Sequence, residues 1–314
     1  MAQWTLADMP NSLEGKTYIV TGTSSGIGTV MAYELAKRGA VVIGANRNVP
    51  KSIDAIKASH PNNEMLASFK PLELDVSSIA SVKQFSEKIM SDNTIHHIDG
   101  LILNAGIMGI PERRLSVDGL EMQMATNVVG HHLLTSLLMK KLLAAPQSIV
   151  ISTSSGASNQ IKHKATWDDL NSEKSYDPWE VYSMTKIAAC QFRDGLLERM
   201  KEADLSSSVH VIATHPGVTS TPLFDEAKGA IGMLFRFFRS TIMMKSEQGA
   251  LSSLKALVDE TVPNGGFVGP GGMAGMFGNP KVVDTFNPKF TLDPRLRAKL
   301  WDYCDNVTGA TWFK

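Results

Sequence analysis

Cysteine and uncompensated charge are both scarce in this chain of 314 residues. Its two cysteines, Cys190 and Cys304, have neither the spacing of metal ligands nor that of a redox pair. The eight histidines fall into no zinc-binding pattern. Lysine plus arginine and aspartate plus glutamate number 31 each, so no overall field attracts nucleic acid or an anionic membrane, and only a local patch stays open. The composition therefore argues against a metalloprotein and against a nucleic-acid-binding protein.

Long hydrophobic runs are also lacking. No uninterrupted apolar stretch approaches the ~20 residues that a membrane span needs. Residues 1–10 do not contain the basic region followed by an apolar run that marks a targeting segment. We therefore expect a protein of the reducing cytoplasm without stable membrane insertion.

Hydrophobic residues are plentiful, at 43% of the chain, which is enough for a large core. Short apolar runs alternate with longer periodic stretches from Lys16 to about Phe267, as in β-α units around a parallel sheet. The chain has no internal repeat and no linker-like segment. We expect one domain over residues 1–314, a doubly wound α/β sheet of about seven parallel strands with helices on both faces, and an N-terminal extension at 1–14.

The apolar pattern predicts the individual elements. Strands are expected at residues 18–20, 41–44, within 65–74, and at 100–103, 148–151, 209–213 and 266–268, and helices at 27–38, 78–90, 120–143, 180–200 and 246–258. Two segments, 159–177 and 221–245, look inserted. Each follows a strand on the side where open α/β sheets bind ligands.

The first predicted strand runs into a glycine-rich turn, T-G-T-S-S-G-I-G at residues 21–28, which opens a helix. Its glycines let the backbone approach a pyrophosphate, whose charge is met by the free N–H groups of the helix N-terminus. The spacing differs from the general G-x-G-x-x-G fingerprint, and by itself it is compatible with a plain tight connection. In the order strand, turn and helix it predicts a dinucleotide site lined by Gly22, Ser24, Ser25, Gly26, Ile27 and Gly28.

The end of the second strand normally selects between dinucleotides, because an acidic side chain there binds the ribose 2'-hydroxyl. This chain has Ala45, Asn46 and Arg47 instead. No carboxylate repels a 2'-phosphate, and Arg47 can pair with one through charge-assisted hydrogen bonds. The alternative is an ordinary surface arginine. We predict NADPH or NADP+ as the cofactor in preference to NADH.

Tyr182 and Lys186 are four residues apart on a predicted helix and therefore share one of its faces. A nearby ammonium group favours the phenolate form of a tyrosine, whose pKa is otherwise ~10. The chain contains a second such pair, Tyr33 and Lys37, so the spacing alone is not specific. Of the two pairs, only Tyr182 and Lys186 follow a serine-rich strand end. This pair is the one predicted to exchange protons with a substrate.

These motifs, together with N-A-G at residues 104–106, resemble those of the short-chain dehydrogenase/reductase family over nearly the whole chain. Its start, W-T-L-A-D-M-P at 4–10 before Gly15 and Lys16, is similar to that of soluble bacterial members. Further signatures favour the retinol-dehydrogenase-like branch: L-N-A-G-I at 103–107, P-W-E-V-Y at 178–182, H-P-G-V at 215–218, S-E-Q-G-A at 246–250, L-W at 300–301 and T-G at 308–309. The resemblance implies a Rossmann-type fold and oxidoreductase activity.

The resemblance also implies a catalytic tetrad. Tyr182 would be the general acid or base, and Lys186 would lower its pKa and hold the nicotinamide ribose. Ser155, the second of the pair Ser154 and Ser155, would donate a hydrogen bond to the substrate oxygen. Asn127 would order water next to the lysine. From chemistry alone, either serine serves, and the serine-rich run is also compatible with a plain loop.

The remaining cofactor contacts are implied by the same resemblance. Asp75 and Val76 would meet the adenine, and three residues of the following strand end would line its ribose: Asn104, Ala105 and Gly106. Pro216, Gly217 and Thr219 would meet the nicotinamide carboxamide. Thr185 stands before Lys186 where many relatives have serine, a change that we expect to leave the chemistry intact.

The apolar run within residues 231–244 bears on the substrate. Three interpretations stay open: a lid helix that packs on its own domain, the wall of an apolar substrate pocket, or a membrane-surface helix. We expect a small carbonyl or alcohol substrate with a hydrophobic body, and a homo-oligomer is compatible with the sequence. The alternative function is a catalytically silent NAD(P)-binding sensor or scaffold, although all four tetrad positions are intact.

Overall fold

The computed structural model describes residues 3–59, 68–159, 161, 167–219, 244–272 and 275–313. Its strands are β1 (Thr17–Thr21), β2 (Val41–Asn46), β3 (Phe69–Glu73), β4 (Gly100–Leu103), β5 (Ser148–Thr153), β6 (Val209–Thr214), β7 (Phe267–Pro270) and β8 (Pro280–Val282). Within the described residues they form one sheet in the order β3-β2-β1-β4-β5-β6-β7-β8, in which only β8 pairs in the antiparallel sense. The α/β prediction is confirmed, with eight strands in the described part of the chain instead of about seven.

Helices cover both faces of this sheet. They are α1 (Gly26–Ala36), α2 (Val49–Ser59), α3 (Ile79–Ser91), α4 (Met122–Met124), α5 (Gly130–Leu143), α6 (Pro178–Glu202), α7 (Ser246–Val258), α8 (Pro288–Thr291) and α9 (Pro294–Thr308). A π-helical segment, Ala125–Val129, joins α4 to α5, and short 3-10 helices lie at Leu6–Asp8 and Gly156–Asn159. The predicted helices are all present, but α2, α8, α9 and β8 were not predicted.

Two hydrophobic layers enclose the sheet. On one face α3 packs against α5 and α6 against α9, around Phe85, Leu134 and Trp301. On the other face α1 packs against α7. Trp4 and Met9 are buried in this second layer. Part of the segment expected as an N-terminal extension therefore belongs to the core.

The two segments expected as insertions differ in how much of each the structure describes. In the first, Trp167 and Leu170 are buried against residues of α6 and α9. In the second, residues 221–243 lie outside the described part of the chain, so the apolar run that bears on the substrate has no structural account here.

The strand order reverses beside β1, whose two neighbours are β2 and β4. At such a point the connections leave in opposite directions, and a crevice opens at the carboxyl ends of the strands. The predicted functional residues come from these strand ends and from the helices that follow them.

Candidate active site

A cleft of about 1100 Å³ opens at this edge of the sheet. Nearly all of the predicted site residues line it: Gly22, Ser24, Ser25, Gly26, Ile27, Gly28, Arg47, Asp75, Val76, Asn104, Ala105, Gly106, Ser155, Tyr182, Lys186, Pro216, Gly217 and Thr219. The remaining predicted site residue, Asn127, does not line the cleft. Several lining residues were not predicted, among them Asn48, Lys51, Met108, Trp179 and Met276.

The glycine-rich turn wraps closely on itself. A side chain at Gly28 would collide with the carbonyl oxygen of Gly22, whose own φ of +77° favours glycine. Ser25 begins α1 without a side-chain capping bond. The first amides of α1 are therefore open toward the cleft, as an anion such as a pyrophosphate requires. The residues present fit a dinucleotide.

The end of β2 carries a brace and a charge. Asn46 is buried; its Oδ1 accepts from the amide of Thr23 at 2.5 Å, and its Nδ2 donates to Ser52 Oγ at 3.0 Å. The amide side chain thus holds the phosphate turn and presents no charge. Arg47 is exposed at the mouth of the cleft, and Lys51, in the first turn of α2, lines the same mouth. Lys51 was missed because α2 was not predicted.

Hydrogen bonds hold the part of the cleft that was predicted to meet adenine. Asp75 Oδ1 accepts from the amide and the hydroxyl of Ser77, at 2.9 and 2.7 Å. Asn104 Nδ2 donates to the carbonyl oxygens of Thr21 and Gly22, at 2.9 and 3.3 Å. The turn after β4 is thereby tied to the phosphate turn after β1.

Tyr182 and Lys186 lie on α6, which begins where the side chain of Asp177 accepts from two amides of the first turn. The Lys186 Nζ atom is 5.6 Å from the centre of the tyrosine ring and donates to the carbonyl oxygen of Thr153 at 2.9 Å. Both side chains are almost fully buried, with relative exposures of 3% and 6%.

Burial dominates the electrostatics of this pair. It raises the pKa of Tyr182 to about 12, although a hydrogen bond with Ser155 acts to lower it. It also lowers the pKa of Lys186 to about 8, because the ammonium group loses its hydration. The direction at Tyr182 is opposite to the lowering that the sequence suggested, since a pattern of residues does not reveal burial.

Tyr33 and Lys37, the second tyrosine and lysine pair with this spacing, have a similar geometry. The Lys37 Nζ atom is 5.8 Å from the centre of the Tyr33 ring. Neither residue lines the cleft. The position in the fold, rather than the contact between the two side chains, distinguishes Tyr182 and Lys186.

The two serines after β5 separate in the structure. Ser154 is buried, and its hydroxyl donates to the carbonyl oxygen of Lys186 at 2.7 Å, so it joins β5 to α6. Ser155 is partly exposed and shares a hydrogen bond with Tyr182. This arrangement supports Ser155 as the serine that reaches a substrate.

Asn127 lies in the π-helical segment, a local widening that is often found near functional sites. Its Oδ1 accepts from the amide of Ile107 at 2.9 Å. Its Nδ2 donates to the carbonyl of Ile107 at 2.9 Å and to Thr185 Oγ1 at 3.0 Å. The side chain is used within the protein and braces the turn after β4 against α6.

The loop after β6 has a defined shape. Gly217 has a φ of +72°, and its amide donates to His215 Nδ1 at 3.2 Å. Thr219 Oγ1 donates to the carbonyl oxygen of Pro216 at 2.9 Å. The amide of Val218 donates to the carbonyl oxygen of Met276 at 3.1 Å. The predicted carboxamide loop is thus held by the segment that follows β7.

Several apolar side chains form a wall of the cleft beside Tyr182. The Trp179 ring meets Tyr182 edge to face, with centres 6.5 Å apart. Met276 packs so closely on Gly156 that a Cβ atom there would lie 2.5 Å from its Cε. Met108 and Ala157 complete this wall.

The described residues also bear on metal binding and on membrane insertion. Within them, no three histidine, cysteine, aspartate or glutamate side chains are grouped so as to hold a metal ion. No helix in the same part of the chain has the length and apolar character to cross a membrane.

Comparison with known proteins identifies the family. The model of the short chain dehydrogenase family matches residues 16–167. The chain is 31% identical to short-chain dehydrogenase TIC 32 B, chloroplastic, of Brassica napus, across 95% of this chain and 91% of that one. The chain belongs to the short-chain dehydrogenase family.

Two further likenesses agree with this membership. Retinol dehydrogenase 13 of Mus musculus is 37% identical over 68% of this chain, a match that spans 61% of that protein. An uncharacterised protein of Mycobacterium paratuberculosis with a solved crystal structure is 31% identical, covers the full length of both chains and has a TM-score of 0.79. Proteins named retinol dehydrogenase are thus among its relatives.

Proposed function

We propose that this chain is an NADP(H)-dependent oxidoreductase that interconverts a carbonyl and an alcohol of a hydrophobic small molecule. The observation that carries the proposal is the position of Tyr182, Ser155 and Lys186 in the cleft that also contains the glycine turn. Bound NADPH would supply a hydride to the carbonyl carbon. Tyr182, Ser155 and Lys186 would stabilise the charge on the substrate oxygen and transfer its proton.

The proton chemistry follows from the pKa directions. With a pKa near about 12, Tyr182 stays protonated at neutral pH and serves as the acid that protonates the substrate oxygen in reduction. Ser155, hydrogen-bonded to it, stabilises negative charge on the same oxygen. Lys186 places a positive charge beside both groups. In alcohol oxidation Tyr182 would act in the opposite sense, as the base.

The preference for NADP(H) is supported at the end of β2. Asn46 is neutral and bonded to the phosphate turn, while two cations, Arg47 and Lys51, line the mouth of the cleft. We propose that both bind a 2'-phosphate, with Arg47 as a planar fork and Lys51 as a point charge.

The hydrophobic substrate is supported by the wall of Trp179, Met108 and Met276 beside Tyr182. A small polar carbonyl would leave this wall exposed to water, whereas an apolar body would bury it.

We also propose a single domain over residues 1–314 and a cytoplasmic location.

The test is a panel of carbonyls with graded apolar size, mixed with the protein and NADPH, in which nicotinamide absorbance is followed. The proposal expects turnover that increases with the apolar size of the substrate. NADPH binding with a flat trace across the whole panel would contradict it and would favour a sensor.

A further inference from the structure

A buried histidine connects two parts of the candidate active site. His131 lies at the start of α5, four residues after Asn127, with a relative exposure of 4%. Its Nε2 atom is 3.0 Å from Thr21 Oγ1, and its Nδ1 atom is 3.3 Å from the main-chain oxygen of Asn127. The imidazole therefore bridges the end of β1 and the π-helical segment.

The hydrogen bonds around Thr21 and Asn127 decide which ring nitrogen carries the proton. Thr21 Oγ1 accepts from the amides of Asn104 and Ala105, both at 2.9 Å. A hydroxyl oxygen has two lone pairs and one proton, so these two amides use its acceptor capacity. The one hydroxyl proton has two acceptors within reach, the carbonyl oxygen of Ile102 at 3.3 Å and His131 Nε2 at 3.0 Å. The Asn127 carbonyl can only accept, so its contact with Nδ1 places the ring proton on that nitrogen. Nε2 is then the acceptor, and the proton of the neutral ring lies on Nδ1.

That proton points to the carbonyl of Asn127. The Asn127 side chain is already engaged with Ile107 and Thr185, so it does not hold its own main-chain oxygen. The π-helical turn is wider than an α-helical one. The Nδ1–H group of His131 adds a side-chain donor to the Asn127 carbonyl in this turn.

The ring is suited to a fixed, uncharged role. Burial lowers the pKa of His131 to about 4, and the positive charge of Lys186 acts in the same direction. The imidazole therefore stays neutral at the pH values at which the enzyme would work, and the polarity of its two hydrogen bonds does not change.

We propose that His131 is a positioning residue whose Nδ1–H group holds the Asn127 carbonyl in place relative to Lys186, while its Nε2 atom ties that segment to the turn after β4 through Thr21. The kinetic part of this inference rests on the proposed function. The bonding part does not.

The bonding part is tested by nitrogen NMR of the full chain with labelled histidine, in which the His131 signals are assigned as those lost in His131→Asn. We expect a protonated Nδ1, an unprotonated Nε2 and no titration between about pH 5 and about pH 8. A proton on Nε2, or a ring that titrates in that range, would overturn the proposal.

The kinetic part is tested by two variants that each keep one half of the bridge. In His131→Asn the side-chain amide nitrogen stands near the former Nδ1 and still donates to the Asn127 carbonyl. In His131→Gln the amide lies near the former Nε2 and still meets Thr21, but the δ donor is lost. We expect kcat to stay within about threefold of wild type for His131→Asn and to fall about tenfold for His131→Gln.

The KM for NADPH should change little in either variant, because the Thr21 hydroxyl has a second acceptor in the carbonyl of Ile102, at 3.3 Å. A kcat for His131→Gln equal to that of wild type, or an equal loss in both variants, would contradict the proposal. A loss of kcat in His131→Gln that is accompanied by a lower melting temperature and weaker NADPH binding would also contradict it, since it would reflect a general folding defect.

His132 provides the matched control. It is the next residue, equally buried, but its Nε2 atom lies 2.7 Å from Asp305 on α9, on the side away from the cleft. His132→Gln should lower the melting temperature and leave kcat within about twofold of wild type. A wild-type chain that binds NADPH but turns over no carbonyl would refute the proposed function, and the NMR result would still decide the bonding at His131.

Discussion

The Ser154 hydroxyl donates to the carbonyl oxygen of Lys186 at 2.7 Å and so links the end of β5 to the helix that carries the candidate acid. Its neighbour Ser155 turns the other way, toward Tyr182. Two adjacent serines that sequence reasoning treated as chemically equivalent thus have different surroundings. The difference leads to opposite expectations for their removal.

We predict that Ser155→Ala lowers kcat by about 10²-fold with little change in the melting temperature, because it removes a donor to the substrate oxygen. Ser154→Ala should instead lower the free energy of unfolding by about 1 kcal/mol, since a buried hydrogen bond is lost, and keep most of the activity. Steady-state kinetics and thermal unfolding of both variants check this. The reverse assignment of the two losses would show that Ser154 is the substrate-facing residue.

Cofactor choice should depend on charge at the mouth of the cleft. Arg47→Asp is expected to reverse the preference for NADPH over NADH, because a carboxylate repels a 2'-phosphate and accepts from a ribose hydroxyl. Lys51→Ala should weaken the binding of NADPH but not that of NADH, with a KM for NADPH that is about tenfold higher. The measurement is the ratio of the two KM values.

Lys57→Asp is the control for these variants, since Lys57 is exposed in the last turn of the same helix and does not line the cleft. The ratio of the KM values for NADPH and NADH in Lys57→Asp should match that of wild type. An unchanged ratio in Arg47→Asp would rule out the proposed contact with the phosphate.

The two reaction directions should respond differently to pH. Because the pKa of Tyr182 is raised to about 12, its protonated form predominates at neutral pH, which provides an acid and leaves little base. Between about pH 6 and about pH 8 we expect the reduction rate to be nearly flat and the oxidation rate to increase about tenfold per pH unit until another step limits it. Lys186, with a pKa of about 8, is mostly protonated up to about pH 7 and about half protonated at about pH 8.

Rate profiles in both directions, at saturating cofactor, measure this difference. An oxidation rate that reaches its plateau below about pH 7 would mean that the tyrosine pKa is lowered in the working enzyme, as the sequence pattern alone had suggested.

Much of the fold was predictable because its signals are local. The glycine turn, the apolar strands and the serine-rich strand end each occupy a few consecutive residues. The missed helices α2 and α9 have proline in their first turns, at Pro50 and Pro294, where a proline is tolerated but reads as a helix breaker. Strand β8 has three residues, too few for an alternating pattern.

The site was less predictable where it depends on contacts between distant residues. Lys51 reaches the cofactor mouth only because α2 forms after β2. Met276 reaches the substrate wall through its hydrogen bond with Val218, nearly sixty positions earlier in the chain. The pKa of Tyr182 depends on burial by the whole domain. None of these has a local sequence signal.

The central claim is that Tyr182 is the acid and base of an oxidoreductase, and the chain supplies its own control in Tyr33, which has a lysine at a similar distance but lies outside the cleft. With NADPH and an apolar carbonyl substrate, Tyr182→Phe should lower kcat by at least about 10²-fold while NADPH still binds, and Tyr33→Phe should stay within about twofold of wild type. Activity of Tyr182→Phe within a few-fold of wild type would contradict the account.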